Sequence, residues 1–260
     1  PSGCSIALNS ATVRTPASSP MRAIAISAYS RDFLIHKKGV PPDRVVLIPN
    51  GVPLERYRSV EEQAGKLWRR KLGITDETKV IGIIGMLHEN KGHAYFIEAA
   101  AQVSAHHPDT KFLIVGDGER RGILEDQASR LGLRGQVLFL GHQEDIPGIL
   151  KMLDIFVIAS VSETASLSLL EAMAAEKAIV TTDCGGPSEV IAEGVTGLIA
   201  PVRDPAALAA QIERLIVHPE QAAQLARNAC LESEKYDLRF TVQKMQQVYM
   251  EIAPFSEAQS

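Results

Sequence analysis

Short apolar runs rich in β-branched residues recur along the chain, at residues 23–27, 45–49, 80–85, 112–116, 137–141, 155–159, 178–182 and 197–200. They are continuous rather than alternating, which is how strands buried on both faces read. Between them lie stretches with the 3.6-residue apolar period of amphipathic helices, at residues 96–105, 123–131, 167–175, 206–216 and 221–231. Strand–helix alternation implies βαβ units with right-handed crossovers and a mainly parallel sheet. The expected fold class is therefore α/β, a doubly wound parallel sheet. Residues 1–20 are rich in Ser, Thr, Ala and Pro without periodicity and read as a loose tail.

Composition narrows the function classes. At 260 residues the chain holds one or two domains on a prior of about 150 residues each. With 45% hydrophobic and 22% charged residues it reads as a folded globular chain. A net charge of −4 argues against a nucleic-acid partner held by a broad basic face. No run of 18 apolar residues offers a membrane-spanning helix, and the stretch from Pro1 to Pro20 lacks the charged and apolar regions of a signal peptide. Cys4, Cys184 and Cys230 have neither metal-ligand nor redox spacing, so structural thiols in a reducing, cytoplasmic setting are expected.

An open parallel sheet binds ligands at the carboxyl ends of its strands. The loops after Gly85, Gly116, Gly141, Ala159 and Thr182 should therefore carry the chemistry. In the first of them, Lys91 and Gly92 precede a helix. A lysine there opposes the helix dipole yet suits a bound phosphate, and a surface turn is the alternative. Gly116, Asp117 and Gly118 resemble a dinucleotide fingerprint, but the next glycine, Gly122, comes one place too late. A tight strand-to-helix turn explains them equally well. The sharpest signal is Glu163 and Glu171, eight residues apart across a strand–loop–helix junction. Both are placed to face one pocket and accept hydrogen bonds from sugar hydroxyls. Ser168 and Glu171 also fit a helix capping box, which would explain Glu171 alone. Glu163, in a loop of small residues, has no evident packing role. Gly185, Gly186, Pro187, Ser188 and Glu189 then form a turn feeding another helix N-terminus.

In order and spacing, these motifs resemble the C-terminal half of the GT-B glycosyltransferases of family GT4, the group 1 glycosyl transferases. The resemblance runs from about Ala25 to Tyr249. It rests on Ile48-Pro49-Asn50-Gly51-Val52, Lys91-Gly92-His93, Val115-Gly116-Asp117-Gly118, Phe139-Leu140-Gly141, the pair Glu163 and Glu171 followed by Ala172-Met173, Gly185-Gly186-Pro187-Ser188-Glu189 and Gly194-Val195-Thr196-Gly197-Leu198.

The resemblance implies a Rossmann-like domain that binds a nucleotide-sugar donor, by default a UDP-sugar, with no further cofactor and no metal. It implies retaining sugar transfer to a glycan or lipid-linked acceptor. It maps Glu163 to the donor-sugar hydroxyls, Glu171 to the ribose and Lys91 to the diphosphate. Gly116, Gly118 and the backbone of Thr164, Ala165, Ser166, Leu167 and Ser168 complete the donor site. Two positions depart from the family pattern: Met86 stands where an arginine often shares the diphosphate charge, and Pro53 replaces the usual aspartate. The implied layout is a remnant of an N-terminal domain with the linker at 21–60, the nucleotide-sugar domain at 61–235, and a crossing helix with a tail at 236–260. Most of the N-terminal domain, with its acceptor site and catalytic histidine, is expected to be missing. The expected location is cytoplasmic, with room for a peripheral contact at the inner membrane face through that domain, and for a homodimer through the faces it would cover. A non-catalytic nucleotide-sugar binding module is the alternative; a dinucleotide oxidoreductase is disfavoured by the broken glycine pattern.

Overall fold

The computed structural model describes residues 21–252, so the predicted tail at 1–20 lies outside the described residues. All eight apolar runs form strands: β1 Ala23–Ala25, β2 Val45–Leu47, β3 Val80–Ile84, β4 Lys111–Val115, β5 Val137–Gly141, β6 Ile155–Ile158, β7 Ala178–Thr182 and β8 Leu198–Ala200. β1 and β2 pair in parallel by themselves. The other six make one sheet in the order β5-β4-β3-β6-β7-β8, every pair parallel. The chain enters this sheet at its centre, winds outward to β5, returns to β6 and winds the other way. The winding direction reverses between β3 and β6, which opens a crevice beyond their carboxyl ends.

Alternate side chains of each strand feed opposite layers, as the pleat requires. Ile81, Ile83, Phe112, Ile114, Ile155 and Val157 pack into one core with Phe96, Ile97 and Val103 of α4 (His93–His106), Leu124 of α5 (Arg121–Arg130) and Ile212 of α9 (Pro205–Val217). Val80, Leu113, Val115, Phe156 and Ile158 pack into the other with Trp68 of α3 (Glu62–Lys71), Leu150 of α6 (Ile146–Met152), Leu169 and Met173 of α7 (Leu167–Ala174), and Ala229 of α10 (Pro219–Glu232). Both faces of the sheet are therefore buried, and the strands need no polar positions.

Apolar periodicity did not find α3 or α6, whereas the turn at residues 185–189 does open a helix, α8 (Gly186–Val190). α3 carries few apolar residues and is anchored by contacts that only the tertiary fold provides. Trp68 Nε1 donates to Asp145 Oδ2 at 2.7 Å. A Cβ on Gly65 would stand 3.0 Å from the Lys151 backbone.

The β1–β2 unit also contains α1 (Ala28–His36). Its first turn carries no acidic residue of its own. Glu189 of α8 supplies one from a distance: its carboxylate accepts the N–H groups of Ala28 and Tyr29 at 2.9 and 2.5 Å. The following linker runs through α2 (Glu55–Arg58), and the predicted C-terminal helix is α11 (Leu238–Ile252). The two are stitched together by Val52 N–H to the Tyr236 carbonyl and Leu238 N–H to the Val52 carbonyl. Phe240, Val242, Tyr249 and Met250 of α11 are exposed.

Removing the remote cap should loosen α1 without touching the six-stranded sheet. Glu189→Ala is expected to cost about 1 kcal/mol locally, because the carboxylate is solvent-exposed. Hydrogen exchange should show the Ala28 and Tyr29 amides exchanging roughly fivefold faster while β3 and β6 amides keep their protection.

Candidate functional site

The loop after β3 forms a short 3₁₀ turn, Glu89–Lys91, then Gly92, then α4. Gly92 is the pivot, with φ of +68°, and a Cβ there would lie 1.8 Å from the Ala159 carbonyl oxygen at the end of β6. Only glycine permits both the left-handed conformation and this approach. It brings the β3 loop against the β6 loop across the crevice. Val161 N–H donates to the Asn90 carbonyl at 2.8 Å and fixes the same junction.

Lys91 and Glu163 meet there. Lys91 Nζ donates to Glu163 Oε1 at 2.6 Å, and Ser160 Oγ donates to Glu163 Oε2 at 2.7 Å. Glu163 is only 8% exposed, so its charge is paired where water cannot solvate it. The sequence assigned this loop residue no packing role; the fold corrects that. Its backbone also bridges to the β7 loop, with Glu163 N–H to the Cys184 carbonyl and Gly186 N–H to the Glu163 carbonyl, both at 2.8 Å. An ammonium group has three donors, so two remain on Lys91.

The segment between Glu163 and α7 offers further donors. Among the described residues, no acceptor takes the N–H groups of Thr164, Ala165, Ser166, Leu167 or Ser168. Unpaired N–H groups at a strand–helix junction form an anion-binding concavity. The N-cap of α7 is Ser166, whose hydroxyl accepts from Leu169 N–H. The capping box expected from Ser168 and Glu171 therefore does not form. Glu171 lies one turn into α7, and its Oε1 accepts the Tyr57 hydroxyl at 2.6 Å. Burial raises its pKa, an effect the Tyr57 hydrogen bond and the nearby Arg56 charge oppose.

Glu163 and Glu171 do not line one cavity. A small, partly open cavity at the ends of β3 and β6 is bounded by Lys91, His93, Ser160, Glu163, Ser166 and Ser168, and Glu171 is outside it. Gly116 and Gly118 are explained by backbone packing. A Cβ on either would stand 2.0 Å from the Gly85 carbonyl oxygen or 2.7 Å from that of Leu87. They let the β4 loop lie against the β3 loop. Beside them an open groove is lined by Met86, Gly116, Asp117, His142, Gln143 and Ile146. Met86 is 66% exposed on its rim. Cys184 is buried, its thiol pushed up to about 11 chiefly by burial, which keeps it an unreactive neutral thiol.

His93 was not singled out by sequence beyond its place after Gly92. It is 2% exposed, and neither ring nitrogen meets a partner among the described residues. Burial, with the Lys91 charge adding to it, pushes its pKa down to about 4, so the ring is neutral near pH 7.

The family model for glycosyl transferases group 1 matches residues 65–231, more than half of the chain. The chain belongs to this family. It is 32% identical over 203 residues to the putative glycosyltransferase EpsD of Bacillus subtilis, covering 76% of the chain and 52% of that protein. It is 31% identical over 186 residues to the Escherichia coli protein named UDP-Gal:alpha-D-GlcNAc-diphosphoundecaprenol alpha-1,3-galactosyltransferase, covering 70% of the chain and 48% of that protein. The Anabaena HepE structure in complex with UDP-glucose superposes with a TM-score of 0.81 at 28% identity, covering 90% of the chain and 64% of HepE. The chain thus spans roughly half to two thirds of the length of these relatives. Its six-stranded sheet is the Rossmann-like domain of the GT-B fold. Among the described residues no helix is long and apolar enough to cross a membrane.

The buried imidazole sets a stability limb. In the unfolded chain it takes its proton near pH 6.5, in the folded chain only near 4. Its contribution is complete above about pH 6.5 and is lost as pH falls toward 4, about 3 kcal/mol in all at ~1.4 kcal/mol per unit. Urea unfolding between pH 6.5 and 5 should show the parent losing stability with a steeper slope than His93→Leu.

Proposed function

We propose that this chain is the donor-binding half of a glycosyltransferase, holding a nucleotide sugar, by default a UDP-sugar, for transfer to a glycan or lipid-linked acceptor. The observation that carries the reading is the meeting of Lys91 and Glu163 at the sheet's reversal point, beside five backbone N–H groups for which no described residue is an acceptor. A cation and a row of N–H donors suit a diphosphate. A buried carboxylate, fixed by two donors and with lone pairs to spare, suits the hydroxyls of the attached sugar. The groove bounded by Met86, Gly116 and His142 suits a planar base. Glu171, beyond the cavity, then falls to the ribose. The UDP-glucose bound by HepE and the UDP-Gal and diphosphoundecaprenol in the name of the E. coli relative support this assignment of donor and acceptor class.

In this reading transfer is retaining and independent of metal. The bond from the anomeric carbon to the diphosphate oxygen breaks, the acceptor oxygen bonds to the same face, and the acceptor proton leaves with the diphosphate. Lys91 and the 164–168 backbone stabilise the charge that builds on the leaving group. Glu163 holds the sugar ring in place. The acceptor-facing wall belongs to the part of the longer relatives that this chain does not span.

Calorimetry on the 260-residue chain tests the division of roles. Lys91→Ala should weaken UDP about tenfold to a hundredfold, leave uridine unchanged, and lose less at high salt. Equal loss for both ligands would remove Lys91 from the diphosphate site.

Glu163→Gln keeps a carbonyl oxygen that can accept from Lys91, so it should weaken UDP less than Lys91→Ala does while narrowing the preference between UDP-glucose and UDP-galactose. Glu171→Gln should weaken UDP and uridine alike, by roughly tenfold or more. A matching profile for the two variants would refute their separate roles.

A further inference from the structure

A buried polar group without a partner, His93, bounds the same small cavity as Ser166 and Ser168. It opens α4 directly after the Gly92 pivot, with Lys91 on the other side of that glycine. Its ring is buried, and neither nitrogen has a hydrogen-bond partner among the described residues. Buried polar atoms of native proteins are paired with protein or with ordered water. The ring is neutral near pH 7, because burial and the Lys91 charge hold its pKa down at about 4. One nitrogen is therefore a donor and the other an acceptor.

The cavity supplies room and partners for a bridge. Its volume of about 10 Å³ is the room that one water molecule takes. Ile83 and Val157 contribute apolar walls, and the polar groups are those of the ion pair, His93 and three serines. Ser160 Oγ is committed to Glu163. The hydroxyls of Ser166 and Ser168 lie 3.1 Å apart, so one donates to the other and the second keeps a proton with no acceptor among the described residues. Ser166 Oγ also accepts Leu169 N–H as the cap of α7. An imidazole and a hydroxyl pair thus share one cavity, each with bonding capacity to spare and neither bonded to the other. Polar groups at such separations are joined by a bridging water.

We propose that His93 is a positioning residue for the diphosphate of the donor: through one buried water it holds the hydroxyls of Ser166 and Ser168, and with them the aim of the 164–168 N–H groups. This rests on the reading of that backbone as the diphosphate site. The imidazole touches no ligand. It fixes the rotamer of the Ser166 cap, which stands in the middle of the segment that offers its N–H groups. A row of donors already held in place loses less freedom on binding an anion than a mobile one. Leucine at position 93 would fill similar space and release the serines. Asparagine and glutamine would restore a donor and an acceptor, at the reach of Nδ1 and of Nε2.

Calorimetry with UDP and with uridine on the full chain compares the parent with His93→Leu, His93→Asn and His93→Gln. His93→Leu should weaken UDP about threefold to tenfold, the worth of one hydrogen bond, and leave uridine within about twofold. At least one amide variant should bind UDP within about twofold of the parent. In NMR spectra of the chain with isotope-labelled histidine, His93 should show one neutral tautomer whose ring N–H proton has an Overhauser contact to a long-lived water. Equal UDP affinity in the parent and His93→Leu, a loss that both amide variants share, or a ring N–H without that water contact would each overturn the proposal while the diphosphate site stands. A parent chain that does not bind UDP would overturn the diphosphate reading and the proposal with it.

Discussion

The Lys91–Glu163 ion pair is the contact on which the site depends. It joins the loop after β3 to the loop after β6, the two strands between which the winding reverses. A carboxylate this buried is costly unless paired, and losing one partner leaves the other charge stranded. Ser160 completes the pairing from the end of the same strand that carries the Glu163 loop. The arrangement keeps a charged group fixed at the crevice while its ammonium partner retains donors for an incoming anion.

Close backbone approach makes that pair possible. Gly92 lets the start of α4 press on the end of β6, and Gly116 and Gly118 let the β4 loop lie on the β3 loop. The loops converge because their glycines have no Cβ to hold them apart. Among the described residues, the 164–168 N–H groups beside this junction have no acceptor. Cation and carboxylate thus share one origin in the packing of strand ends.

The second carboxylate is held differently. Glu171 sits in regular helix and takes its orientation from a linker residue. The linker is in turn clipped to the start of α11 through Val52. The orientation of Glu171 is therefore tied to how the linker packs, whereas that of Glu163 is tied to the loops at the strand ends. The two carboxylates are thus held by different parts of the chain.

The six strands of the main sheet were legible in sequence because both of its faces are buried, so they read as continuous apolar runs. The loop positions of Lys91, Glu163 and Glu171 followed from that order, and family membership follows from motifs at fixed spacing. Local pattern could not reveal which groups touch. The capping box read from Ser168 and Glu171 yields to Ser166 as the cap, because the turn before α7 is fixed by bonds to the β7 loop. Glu163 looked unpartnered because its partner lies 72 positions away in sequence. Tyr57 and His93 gave no signal, since a tyrosine in a linker and a histidine after a glycine are ordinary until burial surrounds them. α3 was missed because its sequence is mostly polar, and the residues that dock it, Trp68 on Asp145 and Gly65 on the α6 backbone, are one aromatic and one glycine. Sequence determined which residues reach the strand ends, through hydrophobic periodicity. Only the tertiary structure decided which of them are buried together, because desolvation and pairing depend on neighbours that the chain brings from far away.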